Sequence, residues 1–134
     1  MRTLEEQLTI NRNCKFHPES KEELQKLVSD PKINLGLIDT SNISDMSWLF
    51  KNCCNFNQAI GNWNVSRVTD MHDMFRSCVN FNQDLTQWKV KETCNTQNMF
   101  TDTPLRLANV KEVFTEKQLL NSASQIFLNE LTLK

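Results

Sequence analysis

Two sets of side chains in this sequence have types and spacings suited to chemistry: carboxylates close to a histidine, and thiols. His72 is followed by Asp73, and Asp45 and Asp70 recur 25 residues apart. A general base needs a nucleophile within hydrogen-bond reach, and a carboxylate pair needs a shared cleft. His72 stands where the preceding copy of a repeat has Ser47, which predicts an exposed outer turn, and no GxSxG elbow or glycine-rich phosphate loop occurs. Stacked carboxylates at Asp45 and Asp70 would raise each other's pKa. The simpler expectation is a first-turn position, where a helix N-terminus favours negative charge. The sequence therefore predicts no enzyme and no catalytic residue.

The thiols are Cys14, Cys53, Cys54, Cys78 and Cys94, with no CxxC spacing, and His17 and His72 are the only histidines. A structural zinc site needs four such ligands brought together, so neither a metal nor another cofactor is expected. The stretch MRTLEEQLTINRNCKF carries acids where a signal peptide would need an apolar run. With an odd cysteine count, this favours reduced thiols and a cytoplasmic location. Cys53 and Cys78 share a repeat position and are expected on adjacent coils, close enough to bond if oxidised. The plainer expectation is small buried residues filling one column.

These residues are positioned by a pattern written twice and begun a third time. Residues 38–62 read IDTSNISDMSWLFKNCCNFNQAIGN, residues 63–87 read WNVSRVTDMHDMFRSCVNFNQDLTQ, and residues 88–105 restart as WKVKETCNTQNMFTDTPL. Nine of the 25 positions are identical between the first two copies, among them Asp45/Asp70, Met46/Met71, Phe50/Phe75, Cys53/Cys78 and the FNQ triplets Phe56–Gln58 and Phe81–Gln83. A unit this short buries its apolar face only against its neighbours. The period predicts an α/β repeat in which each copy is one turn of a short solenoid, with Phe50, Phe75 and Phe100 stacked in one buried column. Within each copy, Met46/Leu49/Phe50 and Met71/Met74/Phe75 at i, i+3, i+4 predict a short helix after Ser44 or Thr69. Phe56–Ile60 and Phe81–Leu85 predict short strands pairing in parallel from coil to coil. With only two glycines in the chain, asparagines are expected to take the left-handed turn positions and to form ladders that satisfy turn backbone.

The flanks predict caps. Residues 1–37 form a lead-in, whose first 16 residues pack loosely. A capping box at Ser20 and Glu23 then opens a helix over about residues 20–29, and Ile33, Leu35 and Leu37 alternate as a strand would. Past Leu105 the period fails, and residues 106–134 predict one or two amphipathic helices, capped by Thr115 or Ser122, over the open end. The whole is one domain. Fifteen basic residues face 16 acidic ones, so no broad field suggests nucleic acid, and Lys51, Arg67 and Arg76 are too few to supply a footprint. No apolar run approaches about 18 residues, so no membrane insertion is expected.

The motif WNVSRVTDMHDMFRSCVNFNQDLTQW, residues 63–88, resembles the repeat of the BspA-like, mycoplasma-type leucine-rich-repeat surface proteins. Trp63, Val65, Ser66, Val68, Thr69, Met71, Met74, Phe75, Phe81, Asn82, Gln83, Leu85 and Trp88 match it one by one. The resemblance covers about half the chain, residues 38–105. It implies a leucine-rich-repeat-like solenoid without enzymatic activity, and for some members display on the cell surface and binding to host proteins.

Repeat and resemblance together predict a non-enzymatic protein-binding module presenting a small repeat face lined by strands. The expected contact residues are Trp48, Asn57, Gln58, Arg67, Arg76, Asn82 and Gln83. Trp48 stands out because its repeat mate is Asp73, so that column faces water, and an aromatic there suits a binding anchor. Equally, Trp48 would serve to pack against the N-terminal lid. The alternative from another class is a structural unit that self-associates weakly through its terminal helices.

Overall fold

Ser20 opens the first helix as its side chain requires. In the computed structural model, which describes residues 14–133, its hydroxyl accepts from the Glu23 amide at 3.1 Å and α1 runs Lys21–Val28. The reciprocal half of the box is displaced by one residue, since the Glu23 carboxylate accepts from the amide of Glu19 and not of Ser20. The strand expected over Ile33–Leu37 does not form. The Asn34 side chain accepts from the Gly36 amide at 3.0 Å and turns the backbone into a 3-10 helix, Leu35–Leu37. Most of the expected loose lead-in, residues 1–13, lies outside the described residues.

The repeat region overturns the expected α/β solenoid of leucine-rich-repeat type. Among the described residues there is no sheet, and the β pairings are isolated parallel bridges joining Phe16 to Ile38, Asp45 to Asp70 and Asp70 to Asn95. Residues 44–58 and 69–83 contain neither helix nor strand. Helices fail because alternate amides leave their own copy. Trp48, Phe50 and Asn52 donate to the carbonyls of His72, Met74 and Arg76 at 2.8–2.9 Å, and Asp73, Phe75 and Ser77 donate likewise to Gln97, Met99 and Thr101. The intervening amides of Leu49, Lys51 and Cys53 close short turns onto Met46, Trp48 and Phe50. An α-helix would keep all of these bonds inside one segment. Strands fail because side chains replace the backbone partners. Asn57 Oδ1 accepts from the Asn82 amide at 2.8 Å, Gln83 Nε2 donates to the Asn57 carbonyl at 2.8 Å, and Asn80 Nδ2 donates to the Cys54 carbonyl at 2.8 Å. The expected asparagine ladder is thus present where the strand pairing is not.

The turns demand positive φ at two positions per copy: Trp48, Asp73 and Asn98 in one column, Asn52, Ser77 and Asp102 in the other. Asparagine fills only one position of each column, and neither glycine has positive φ. The core follows the period closely except at the expected cysteine column, where Cys78 is buried and Cys53 is exposed. Phe50, Phe75 and Phe100 stack with centroids 5.7 and 5.6 Å apart and planes within 8°, and Phe56 and Phe81 lie against Phe50 and Phe75 at 3.9 and 4.3 Å. The buried indoles of Trp63 and Trp88 donate to the carbonyls of Leu35 and Ile60 at 2.9 and 3.0 Å. This satisfies the one polar atom each brings inside.

At the C-terminal side, α2 (Glu116–Asn121) starts at Thr115 with a full capping box through Gln118, and α3 (Gln125–Thr132) is capped by Ser124, not by Ser122. The carbonyls of Asn121 and Ser122 accept from the amides of Asn98 and Phe100 at 2.9 and 3.0 Å, so the end of α2 takes the bonds a further copy would have taken. Phe114 and Phe127 meet Phe100 edge-on and stop the parallel stack.

Candidate functional site

The seven sequence-predicted contact residues do not share one surface lined by strands, because no such strands exist. Asn57, Asn82 and Gln83 are bonded to one another across the first two copies, Gln83 Nε2 also reaching Asn57 Oδ1 at 2.9 Å. Gln58 Oε1 accepts from the Leu35 amide at 3.5 Å. These side chains hold turn backbone together. Arg67 is exposed and donates to Asn42 Oδ1 at 3.3 Å. Arg76 lies 3.7 Å from the Asp73 carboxylate, which Lys51 approaches from the previous copy at 3.2 Å.

Trp48 is different. The residue is 50% exposed, and its ring is met by neighbours from two other parts of the chain. Lys21, the first residue of α1, places Nζ 3.3 Å from the ring centroid, an attractive arrangement of cation over aromatic face. His72, in the next copy, meets the indole edge-on at 5.1 Å and 69°. Trp48 thus packs against α1 through Lys21 while half of it stays open to water.

Lys21 is held in turn by Ser47 Oγ at 2.6 Å and Asp45 Oδ1 at 3.6 Å. Asp45 accepts from both the Ser47 hydroxyl, 2.6 Å, and the Ser47 amide, 2.8 Å. Burial pulls the Asp45 carboxyl upward, but the Ser47 bonds and the Lys21 charge outweigh it and hold the group below its ordinary value. Asp70 makes the equivalent turn, accepting from the His72 amide at 3.0 Å and from His72 Nδ1 at 2.7 Å. Both aspartates are thus turn-forming acceptors rather than first-turn residues of a helix. The buried Ser47 hydroxyl donates to Asp45 and accepts from Lys21, so the trio ties the start of α1 to the first copy. Among the described residues no cluster of histidine, cysteine and acidic side chains is placed to hold a metal ion.

Lys21, Ser47 and His72 are the members of this corner that sequence reasoning missed as contacts. His72 carried a signal, since it follows Trp48 in the repeat frame by 24 residues and adjacent copies had to touch. Lys21 carried none, because the angle at which α1 crosses the first copy is a tertiary property.

Among the described residues, no helix is long and apolar enough to cross a membrane. No curated protein and no solved structure matches the chain. The family comparison supports the mycoplasma-type part of the resemblance and not its BspA or leucine-rich-repeat part. The family profile described as "Mycoplasma protein of unknown function, DUF285" matches residues 21–131, from the first residue of α1 almost to the end of α3, and the chain belongs to that family.

Proposed function

We propose that the protein is a non-enzymatic binding module that presents the Trp48 corner to another protein, as BspA-like surface proteins present their repeats. The observation that carries this reading is the backbone at Trp48. Its φ is +47°, and its column mates Asp73 and Asn98 are of the types that tolerate that region. A bulky aromatic there costs on the order of 1 kcal/mol or more, and the surrounding turn would be satisfied by asparagine. Holding a half-exposed indole in a strained position, braced by Lys21 and His72, suits a pre-ordered anchor for a partner.

The test substitutes Trp48→Asn, the residue of the third copy. This variant should keep or gain stability, measured by urea unfolding, while losing a partner that the wild-type protein captures from native extract. Equal capture by a folded Trp48→Asn variant would refute the assignment. A second reading, self-association through the terminal helices, draws on Leu120 and Leu133, which are 48% and 86% exposed. Sedimentation of a Leu120→Glu, Leu133→Glu variant should show a lower mass than wild type under that reading alone.

A further inference from the structure

Cys53, Cys54 and Cys78 come together where the first copy meets the second. Cys53 and Cys78 occupy the same repeat position, and both bond to one atom. The buried Cys78 thiol donates to the Phe50 carbonyl oxygen at 2.9 Å, and the Cys53 amide donates to that same oxygen at 3.0 Å. The shared acceptor sets the Cys78 sulfur against the Cys53 backbone, whose amide also faces that sulfur. One residue earlier, the Asn52 amide bonds across to the Arg76 carbonyl at 2.8 Å. Backbones joined in this way lie about 4.8 Å apart, within the roughly 4.4–6.8 Å between Cα atoms that a disulfide spans. The Cys53 thiol is at the surface, held by a 3.8 Å contact to the Lys51 carbonyl. A turn about its χ1 toward Cys78 is the movement the bond requires.

We propose that Cys53 and Cys78 form a redox-modification site, in which a hydroperoxide joins them as a disulfide that staples the first copy to the second. Cys53 reacts first because it is the exposed member. Its sulfur attacks the peroxide, the O–O bond breaks, one oxygen stays on sulfur as a sulfenic acid, and the other leaves as the alcohol or water with the thiol proton. The Cys78 sulfur then attacks the Cys53 sulfur, the S–O bond breaks, and the departing hydroxide takes the Cys78 proton as water. Two thiols and one hydroperoxide give one disulfide, one alcohol or water, and one further water. Burial pushes the Cys78 thiol up to about 12, so it stays protonated and does not compete with Cys53 for the oxidant. Burial, and then the neighbouring Cys54, also raise Cys53, so its exposure and not a lowered pKa makes it the first to react.

The full-length protein is treated with hydrogen peroxide, its remaining thiols are alkylated in denaturant, and unreduced tryptic peptides are weighed. Cleavage after Lys51, Arg67, Arg76 and Lys89 leaves Cys53 and Cys54 in peptide 52–67 and Cys78 in peptide 77–89. The expected product is 52–67 joined to 77–89, formed by wild type and by Cys54→Ser and absent from Cys53→Ser. Oxidation should also raise the urea midpoint of wild type and leave that of Cys53→Ser unmoved. A bond confined to peptide 52–67, a joined product lost in Cys54→Ser, a disulfide between molecules, or Cys53 carried to sulfinic acid with Cys78 still free would each overturn the proposal. So would a joined product with no rise in midpoint.

Discussion

Replacing Gln118 should expose how the stack of copies is ended. Gln118 is 4% exposed. Its Nε2 donates to the carbonyls of Lys91, Glu92 and Cys94 at 2.8, 3.2 and 3.2 Å, and its Oε1 accepts from the Thr115 amide at 3.0 Å. In the inner copies the carbonyls of Ser44 and Thr69 receive backbone amides from the next copy, those of Thr69 and Asn95. At the last copy one glutamine side chain does this work. Gln118→Leu keeps the bulk and removes every side-chain bond. The Lys91 and Glu92 carbonyls belong to exposed residues and regain water, whereas the Cys94 carbonyl and the Thr115 amide are sheltered. A buried group left unpaired costs about 1–3 kcal/mol, so the loss should be about 2–4 kcal/mol against a total of roughly 5–15. Urea unfolding followed by emission from the buried Trp63 and Trp88 reads this as a midpoint lower by roughly 1–2 M. Gln118→Glu adds a second arm. A carboxylate facing three carbonyls should titrate above its ordinary value, so the folded state binds more protons than the unfolded state. Stability is then fully present below the ordinary glutamate range and falls as pH rises through the raised folded value. A leucine variant within about 1 kcal/mol of wild type, or a glutamate variant with an unchanged pH profile, would refute the capping argument.

Gly61 should resist substitution more than Gly36. A Cβ at Gly61 would stand 2.7 Å from the Asp84 backbone oxygen, while one at Gly36 meets a flexible Asn34 side chain at 3.3 Å. Gly61→Ala should therefore cost about 1–3 kcal/mol by thermal or urea unfolding, with Gly36→Ala well below it. Acid should weaken the corner beneath Trp48. The Asp45 carboxyl is held low, burial opposing the Ser47 and Lys21 contacts that prevail, so its stabilisation is present above the unfolded value and is lost as pH falls through the folded one. Asp45→Asn keeps an acceptor for the Ser47 amide but has no charge to lose, and should flatten the acid limb of a stability–pH curve.

Much of the packing was legible in the order of residues. A constant 25-residue period brings Phe50, Phe75 and Phe100 into register whatever the backbone does between them, because identical side chains at identical spacing bury best against their own copies. The caps at Ser20 and Thr115 were legible for a local reason, since each hydroxyl bonds an amide three residues on. The element types were not. Apolar residues at i, i+3 and i+4, such as Met46, Leu49 and Phe50, fit a helix and equally fit successive tight turns whose alternate amides point outward. Phe56–Ile60 similarly alternates as a strand would, yet Asn57 and its partners Asn82 and Gln83 spend side chains on bonds that strands make with backbone.

The sequence by itself determined which residues lie in the same column, that the Phe50, Phe75 and Phe100 column is buried, and where α1 begins, with Thr115 one of two starts it offered for α2, because these follow from period, polarity and contacts a few residues apart. Only the tertiary structure decided that each copy is built of turns, that Asp45 and Asp70 are turn acceptors, and that Lys21 roofs the Trp48 ring. Those outcomes depend on whether a backbone amide finds its partner within its own copy or across to the next. That competition is settled by how closely the copies approach, and their approach is set by the aromatic stack as a whole.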